Sequence, residues 1–274
     1  MPPVKARPWS RSIIRWAGSK RLLLPALTDL IGGRPKRYIE PFCGSAALFF
    51  AMRPQAAVLG DLNADLIHAY TVLRRHPRIL WRAVTALRSE DYYEIRGQSP
   101  EQLDNLSRAA RFLYLNRYCF NAVYRTNRRG EFNVPRGTAS GGVPSEILFY
   151  RCAVALRNST LLCADFTRTI EGTTEGDVVY LDPPYDLASR QRYGEYGYGS
   201  FGRDDVHRLV SAVRMIDGRR AFFVLSYFDD PLLRAELASY RTITIDVPRH
   251  VAGFARARQR AHELLITNLK PLVS

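Results

Sequence analysis

The stretch Tyr38-Ile39-Glu40-Pro41-Phe42-Cys43-Gly44-Ser45-Ala46, continued by Ala47 to Met52 (ALFFAM) and Arg53 to Asp61 (RPQAAVLGD), decides the fold. Tyr38 to Phe42 predicts a short strand, Gly44 to Ala46 a turn, Ala47 to Met52 a small apolar helix, and Ala56 to Gly60 a second strand ending at Asp61. A β-turn-α-β unit with an acid at the tip of its second strand is the arrangement that cradles an adenosine ribose in Rossmann-like sheets.

Strand signals resume after Asn158: Thr160 to Ala164 ending at Asp165, Val178 to Leu181 ending at Asp182, Ala221 to Ser226, Thr242 to Val247, and Glu263 to Thr267. Helices are expected at about Asp204 to Ile216 and Pro231 to Ser239. Strands alternating with helices build a mostly parallel sheet, but no clear helix separates the last two strands, so an antiparallel pair is expected there. Between Asn63 and Asn158 the period turns helical, as in Leu80, Val84, Leu87 and then Leu103, Leu106, Ala110, Leu113. The expected architecture is α/β: a discontinuous Rossmann-like domain of residues 1–62 and 159–274, interrupted by a helical unit of residues 63–158.

The chain has 40 basic and 26 acidic residues in 274, a net charge of +14, which makes an anionic polymer the expected partner. Only Lys5, Lys20, Lys36 and Lys270 are lysine; the rest is arginine, whose planar fork suits phosphates and guanine edges. Fifteen of the arginines fall between Asn63 and Asn158, against eight acids. There Tyr124 to Val134 (YRTNRRGEFNV) alternates around Asn127-Arg128-Arg129-Gly130, with Gly130 where a tight turn needs positive φ. The pattern predicts an arginine-tipped hairpin at about 123–135, a solvated charged turn being the alternative. Cys43, Cys119, Cys152 and Cys163 lie far apart, without a C-x-x-C pair, and read as buried reduced thiols rather than a zinc site or disulfide framework. No apolar run approaches the 18 or so residues of a membrane span and no signal sequence opens the chain, so a soluble cytoplasmic protein without metal or membrane partner is expected.

The sharpest motif is Asp182-Pro183-Pro184-Tyr185, directly after the apolar strand Val178-Val179-Tyr180-Leu181. It sits at the carboxyl edge of a strand, where open α/β sheets bind ligands. The prolines fix the backbone and remove N–H donors, leaving the Pro183 carbonyl rigid and able to accept. One chemistry uses that set. An exocyclic amine such as that of adenine has its lone pair delocalised into the ring; if Asp182 and the Pro183 carbonyl each accept one of its N–H groups, the lone pair is drawn toward a methyl donor while Tyr185 stacks on the base.

These motifs stand among others in a characteristic order: Arg15 to Lys20 (RWAGSK), Ile39 to Ser45 (IEPFCGS), Asp61-Leu62-Asn63, Arg111 to Arg117 (RFLYLNR), Glu131 to Pro135 (EFNVP), Asp165-Phe166, Asp182 to Tyr185, and Glu263 to Asn268 (ELLITN). With them the chain resembles the Dam-type DNA adenine N6-methyltransferases almost end to end. The resemblance implies a Rossmann-like methyltransferase sheet, S-adenosylmethionine as methyl donor, and double-stranded DNA as partner. It implies that Lys20 lies near the methionine end of the cofactor, Trp16 forms part of the pocket wall, Glu40 and the turn Phe42, Gly44 and Ser45 approach the cofactor, and Asp61 accepts from the ribose hydroxyls. Asp165 and Phe166 would hold the adenine amine and ring. Trp16 as ordinary core and Glu40 as a buried cap remain open on burial grounds. For DNA, the resemblance implies that Phe120 and Asn121 fill the gap left by an extruded adenine. Val123, Arg125, Asn127, Arg128, Arg129 and Pro135 form the reading segment, and Arg15 is a second guanine reader. Together these imply a GATC target.

Three positions where the family commonly has glycine differ: Ser19, Ala46 and Ala122. If position 46 needs positive φ, alanine costs on the order of 1 kcal/mol; if it is helical, the change is neutral or favourable. The stretch after Pro135, Arg136 to Gly142 (RGTASGG), is less basic and aromatic than the family's. The rival readings are a DNA-binding remnant that no longer transfers methyl, and a methyltransferase acting on RNA or protein. Asparagine at 182 would have favoured the latter, and the basic hairpin opposes it.

Overall fold

The structure is a computed structural model that describes residues 11–16, 18–33, 35–87, 92–127, 129–138, 141–184, 201–248 and 260–270. Its centre is a seven-stranded sheet: β1 (Arg37–Glu40), β2 (Ala56–Asp61), β3 (Ser159–Cys163), β4 (Val178–Leu181), β5 (Phe222–Phe228), β6 (Arg241–Pro248) and β7 (Arg260–Thr267), in the order β3-β2-β1-β4-β5-β7-β6. β1, β2, β3, β4 and β5 are parallel. β7 runs antiparallel to both β5 and β6, so the expected antiparallel pairing of the last strands holds, and β7 also wedges between β5 and β6. β1 ends at Glu40 rather than Phe42, because Pro41 has no N–H for the ladder.

The topology places the site. From β1 the sheet grows one way through β2 and β3 and the other way through β4, so a crevice opens beyond the carboxyl ends of β1 and β4, the switch point at which doubly wound sheets bind ligands. All four residues of β4 are buried, as a central strand covered on both faces requires.

One face is covered by α1 (Leu24–Ile31), α2 (Ala47–Met52), α3 (Ala64–Arg75), α4 (Pro77–Ala86), α5 (Tyr92–Gly97), α6 (Asn105–Tyr118) and α7 (Glu146–Leu156), which share one continuous apolar core with β1, β2 and β4. α8 (Phe166–Ile170), α9 (Arg203–Gly218) and α10 (Pro231–Glu236) pack on the other face. α9 buries Val206, Leu209, Val210, Val213 and Ile216 at helical spacing, and Asp205 accepts the Gly202 N–H at 3.0 Å to start it. α3 and α6 begin the same way: the Asn63 side chain accepts from Leu66 N, and Asp104 accepts from Leu106 N and Ser107 N. Arg111 is buried in α6, donating to the carbonyls of Ile95 and Arg96 that end α5.

The expected hairpin at 123–135 is corrected in one respect. The chain doubles back and its arms pair, through the antiparallel bridges Thr126 with Phe132 and Cys119 with Arg136 and through backbone bonds from Asn127 N to the Glu131 carbonyl and from Asn133 N to the Arg125 carbonyl, but among the described residues this pairing stays short of regular strands. Tyr124, Phe132 and Val134 all turn inward to the core, so the segment is held by packing as well as by the backbone bonds between its arms. Gly130 does take positive φ, +80°. A second correction concerns cysteine: Cys43, Cys119 and Cys152 are buried, but Cys163 is exposed, because it ends the edge strand β3.

Candidate active site

Asp182 leaves β4 at the switch point with its side chain 19% exposed, and Lys20 reaches it from the segment before α1. Lys20 Nζ donates to Asp182 Oδ1 at 2.7 Å and lies 3.2 Å from Glu263 Oε1, while Ser226 Oγ donates to that same glutamate oxygen at 2.6 Å. Burial pushes the Asp182 carboxyl up, Lys20 opposes that, and Glu263 adds to it; the net shift is upward. Pro183 is buried and Pro184 half-buried. Tyr185 lies outside the described residues. The role of Glu263 was not read from sequence, although an acid opening the apolar run Leu264-Leu265-Ile266 was its signal.

The turn after β1 is pinned to the end of β2. Asp61 Oδ2 accepts the Gly44 N–H at 3.0 Å and Oδ1 accepts the Asn63 N–H at 2.9 Å. Burial pushes the Asp61 carboxyl up to about 6 despite these donors. Tyr70 O–H donates to the Gly44 carbonyl at 2.8 Å, so both polar groups of Gly44 are held. Gly44 has φ +42°, and a Cβ there would stand 2.7 Å from Trp16 Cδ1; only glycine fits. Ser45 meets Ser19 hydroxyl to hydroxyl at 3.0 Å. Ala46 resolves its conditional reading: φ 48°, ψ 36° is left-handed, so its methyl carries the cost. Glu40 is 3% exposed, accepts from Tyr38 O–H at 3.0 Å and from the Phe49 N–H in the first turn of α2, and is pushed well above the usual carboxylate range by burial. It therefore behaves as a buried cap beneath the turn.

On the far side of β2, Asp165 caps α8 by accepting the Thr167 N–H and hydroxyl at 3.0 and 2.6 Å, and pairs with Arg208 at 2.6 Å. Burial raises its carboxyl, but the Thr167 and Arg208 donors outweigh this and hold it below the ordinary value. Phe166 is buried, stacked on Phe42 with ring centres 5.2 Å apart, and the Arg208 guanidinium lies 4.8 Å over its ring. Arg208, on α9, joins this group only through the fold.

The residues expected to read DNA lie along one edge. Phe120 and Asn121 are exposed, and Asn121 and Ala122 both take left-handed φ, 51° and 56°. Val123 is half-buried against the core; Pro135 and Arg129 are exposed. Arg125 is exposed, its Nε donating to Asn133 Oδ1 at 2.9 Å. Asn127 uses its side chain to build the turn, accepting from the Arg129 and Glu131 N–H groups and donating to Glu131 Oε2. Arg128 lies outside the described residues. Arg15 is clamped at its backbone by Asn116 and donates to the Arg117 carbonyl at 3.1 Å. Around it Arg11, Arg21 and Arg117 crowd together, and burial first, then Arg15 and Arg21, push the Arg117 guanidinium down to about 10. Sequence reading passed over Arg21 and Arg117 because they lie 96 positions apart and meet only in the fold.

Trp16 joins the two regions. It lies against Gly44 on one side and stacks on Tyr124 on the other, centres 6.1 Å apart and planes 18° apart; Tyr124 O–H donates to Asp65 Oδ2 at 3.3 Å, and Arg108 pairs with the same carboxylate. Among the described residues, no group of His, Cys, Asp or Glu could hold a metal ion, and no helix is long and apolar enough to cross a membrane.

A sheet of this order, with an acid and two prolines at the carboxyl end of β4 and a glycine turn tied to an acid at the end of β2, defines a Rossmann-like methyltransferase. Residues 16–251 match the family model of the D12 class N6 adenine-specific DNA methyltransferases, and the chain belongs to that family. It is 30% identical to the type II methyltransferase M1.LlaDCHI of Lactococcus lactis subsp. cremoris, across 94% of this chain and 95% of that one. It is 29% identical to the DNA adenine methylase of Escherichia coli K12, over 93% of this chain and 94% of that protein. Identity with the DNA N-6-adenine-methyltransferase of Escherichia phage P1 is 33% over 95% of this chain, but only 36% of that longer protein is covered. The protein is an adenine-specific DNA methyltransferase, and DNA is its substrate.

Proposed function

We propose that the methyl donor is S-adenosylmethionine, that the accepting adenine is extruded from double-stranded DNA, and that its target is GATC. The observation that carries the reading is the junction at the switch point: Asp182 anchored by Lys20, within the same crevice as the Gly44 turn that Asp61 holds. The residues fit the cofactor. Gly44 leaves a cradle that a Cβ would fill, and the carboxylate of Asp61, raised to about 6, is stabilised further by hydroxyl donors such as those of a ribose. Asp61, Gly44, Ser45 and Trp16 would hold it, with Asp165 and Phe166 at its base and Lys20 at its amino-acid end. When bound, it supplies an electrophilic methyl group on a sulfonium.

The chain's own residues do the rest. Asp182 and the Pro183 carbonyl accept the two N–H groups of the adenine amine, turning its lone pair out of the ring, and Tyr185 stacks on the base. Phe120 and Asn121 occupy the vacated position in the duplex, an exposed aromatic and an amide raised on a left-handed backbone. Arg125 and Arg15 read guanines, and Val123 and Pro135 present apolar surface to a thymine methyl. The segment 63–158 acts as the target-reading unit, and Arg11, Arg21 and Arg117, crowded around Arg15, relieve their mutual repulsion on backbone phosphate. Mapping methylated bases on duplexes in which each target position is varied tests the whole reading. N6-methyladenine confined to GATC is expected, and modification at other sequences overturns the target.

A further inference from the structure

Glu263 is a buried carboxylate at this site that methyl transfer, as derived so far, does not use. It is tied, directly or through Lys20, to three other parts of the chain. Ser226 on β5 donates to Oε1 at 2.6 Å, Lys20 lies 3.2 Å from the same oxygen, and Lys20 in turn donates to Asp182 Oδ1 at 2.7 Å. Glu263 pairs with Phe228 across the antiparallel β5–β7 ladder, beyond the Leu225 that is in register with Leu181 at the end of β4. The side chains of Lys20, Asp182 and Glu263 are 11%, 19% and 10% exposed.

One cation is thus shared between two carboxylates in a poorly hydrated place, an arrangement that repays its desolvation only with good geometry. A lysine meant only to neutralise Asp182 would do so better without a second acid behind it. The second acid has a definite effect: it draws part of the Lys20 charge away, so Asp182 is oriented through Oδ1 without being quenched as an acceptor. Ser226, wholly buried, keeps Glu263 from swinging to Lys20 completely.

We infer that Glu263 is a positioning residue for methyl transfer, setting through Lys20 the orientation and acceptor strength of Asp182. The inference rests on the reading of Asp182 as the group that accepts the adenine amine. The other titratable groups around Asp182 are Tyr180 on its own strand and Glu40 on β1, with Tyr38 beyond Glu40. From β5 the contact is Ser226, which does not titrate, while Tyr227 packs into the core on the opposite face.

The test uses the full-length protein in two states. In the unloaded protein, the Asp182 carboxyl is titrated by carbon NMR; in the ternary complex, single-turnover methyl transfer to a GATC duplex is followed against pH. Glu263→Gln removes the repulsion and leaves Lys20 to Asp182, so the carboxyl titration and the acid limb of the rate profile should both move to lower pH. The plateau rate should fall by about tenfold, because the acceptor is weakened. Lys20→Met should move both to higher pH. Ser226→Ala, which leaves every charge in place but lets Glu263 take Lys20 more fully, should shift them in the Lys20→Met direction but less, and serves if Glu263→Gln does not fold. Opposite shifts for the glutamate and lysine variants support the inference; Glu263→Gln curves that superimpose on wild type, or shifts of one sign in both, overturn it. Asp182→Asn separates the two levels: substantial turnover in that variant would overturn the reading of Asp182 itself, whereas an inactive Asp182→Asn beside an unshifted Glu263→Gln would overturn the role of Glu263 alone.

Discussion

The crevice beyond β1 and β4 and the edge formed by residues 119–138 are built on opposite plans. In the crevice, carboxylates are buried and both ends of each contact are spoken for: Asp61 holds two N–H groups, Glu40 a tyrosine and a helix terminus, Asp182 a lysine. Along the edge, Phe120, Asn121, Arg125 and Arg129 are exposed, the backbone pairing is short, and the strain is in the backbone at Asn121 and Ala122. Chemistry on a weak nucleophile needs groups that do not reorganise when charge shifts, and polar groups already fixed by the fold supply that. The proposed reading of a duplex needs side chains that can meet base edges, and a segment held by Tyr124, Phe132 and Val134 from below keeps Phe120, Asn121, Arg125 and Arg129 exposed.

If this contrast is right, damage to the crevice should abolish turnover and damage to the edge should change only what is recognised. The largest effect is expected for Asp182→Ala, with single-turnover methylation falling at least about a hundredfold while DNA and cofactor affinities change far less. Retention of a tenth of wild-type turnover would erase the distinction.

Asp61→Ala should weaken cofactor binding by roughly 1.5 to 3 kcal/mol, as for hydrogen bonds to a charged group. The pH dependence sharpens this. Hydroxyl donors favour the carboxylate, so binding lowers a pKa that stands at about 6 in the unloaded protein, and below that pH a proton must be expelled for the complex to form. Calorimetry should therefore find S-adenosylmethionine affinity level above pH 6 and falling as pH drops through it, with the slope gone in Asp61→Asn.

On the edge, Arg125→Ala should relax discrimination at one guanine by roughly 1 to 3 kcal/mol while leaving other positions unchanged; an equal loss on every duplex would make it a backbone contact. Arg129→Ala should instead weaken binding to all sequences and flatten its salt dependence by about one unit of slope. The smallest effect compares the strain of the two regions. Ala46→Gly and Ala122→Gly each relieve a left-handed alanine and should raise stability by about 1 kcal/mol, about 2–4 °C in Tm. A loss of stability in either would mean that the methyl group packs better than its backbone suffers.

Much of the crevice was legible because it is written locally. The helix Ala47–Met52 and the strand Val178–Leu181 stand where periodicity puts them, and Asp61, Asp165 and Asp182 all fall at the ends of parallel strands. The reading edge was less legible. Alternation around Gly130 is a true turn signal and the arms do pair, but how far the pairing runs depends on what lies beneath them, here the three inward side chains Tyr124, Phe132 and Val134.

The sequence by itself therefore determined the class of sheet, the carboxyl-edge acids, the glycine turn and, through its net charge of +14, the anionic partner, because each depends on residue type, composition or spacing within a few positions. Only the tertiary structure decided that Lys20 is shared by Asp182 and Glu263, that Arg208 covers Phe166, that Trp16 spans from Gly44 to Tyr124, and that Ala46 is left-handed. The contacts among them join residues up to 243 positions apart, as Lys20 and Glu263 are, and no local pattern encodes which of several charged groups will meet once the sheet closes. Burial settles the rest, since it makes an unpaired charge costly and so selects its partner.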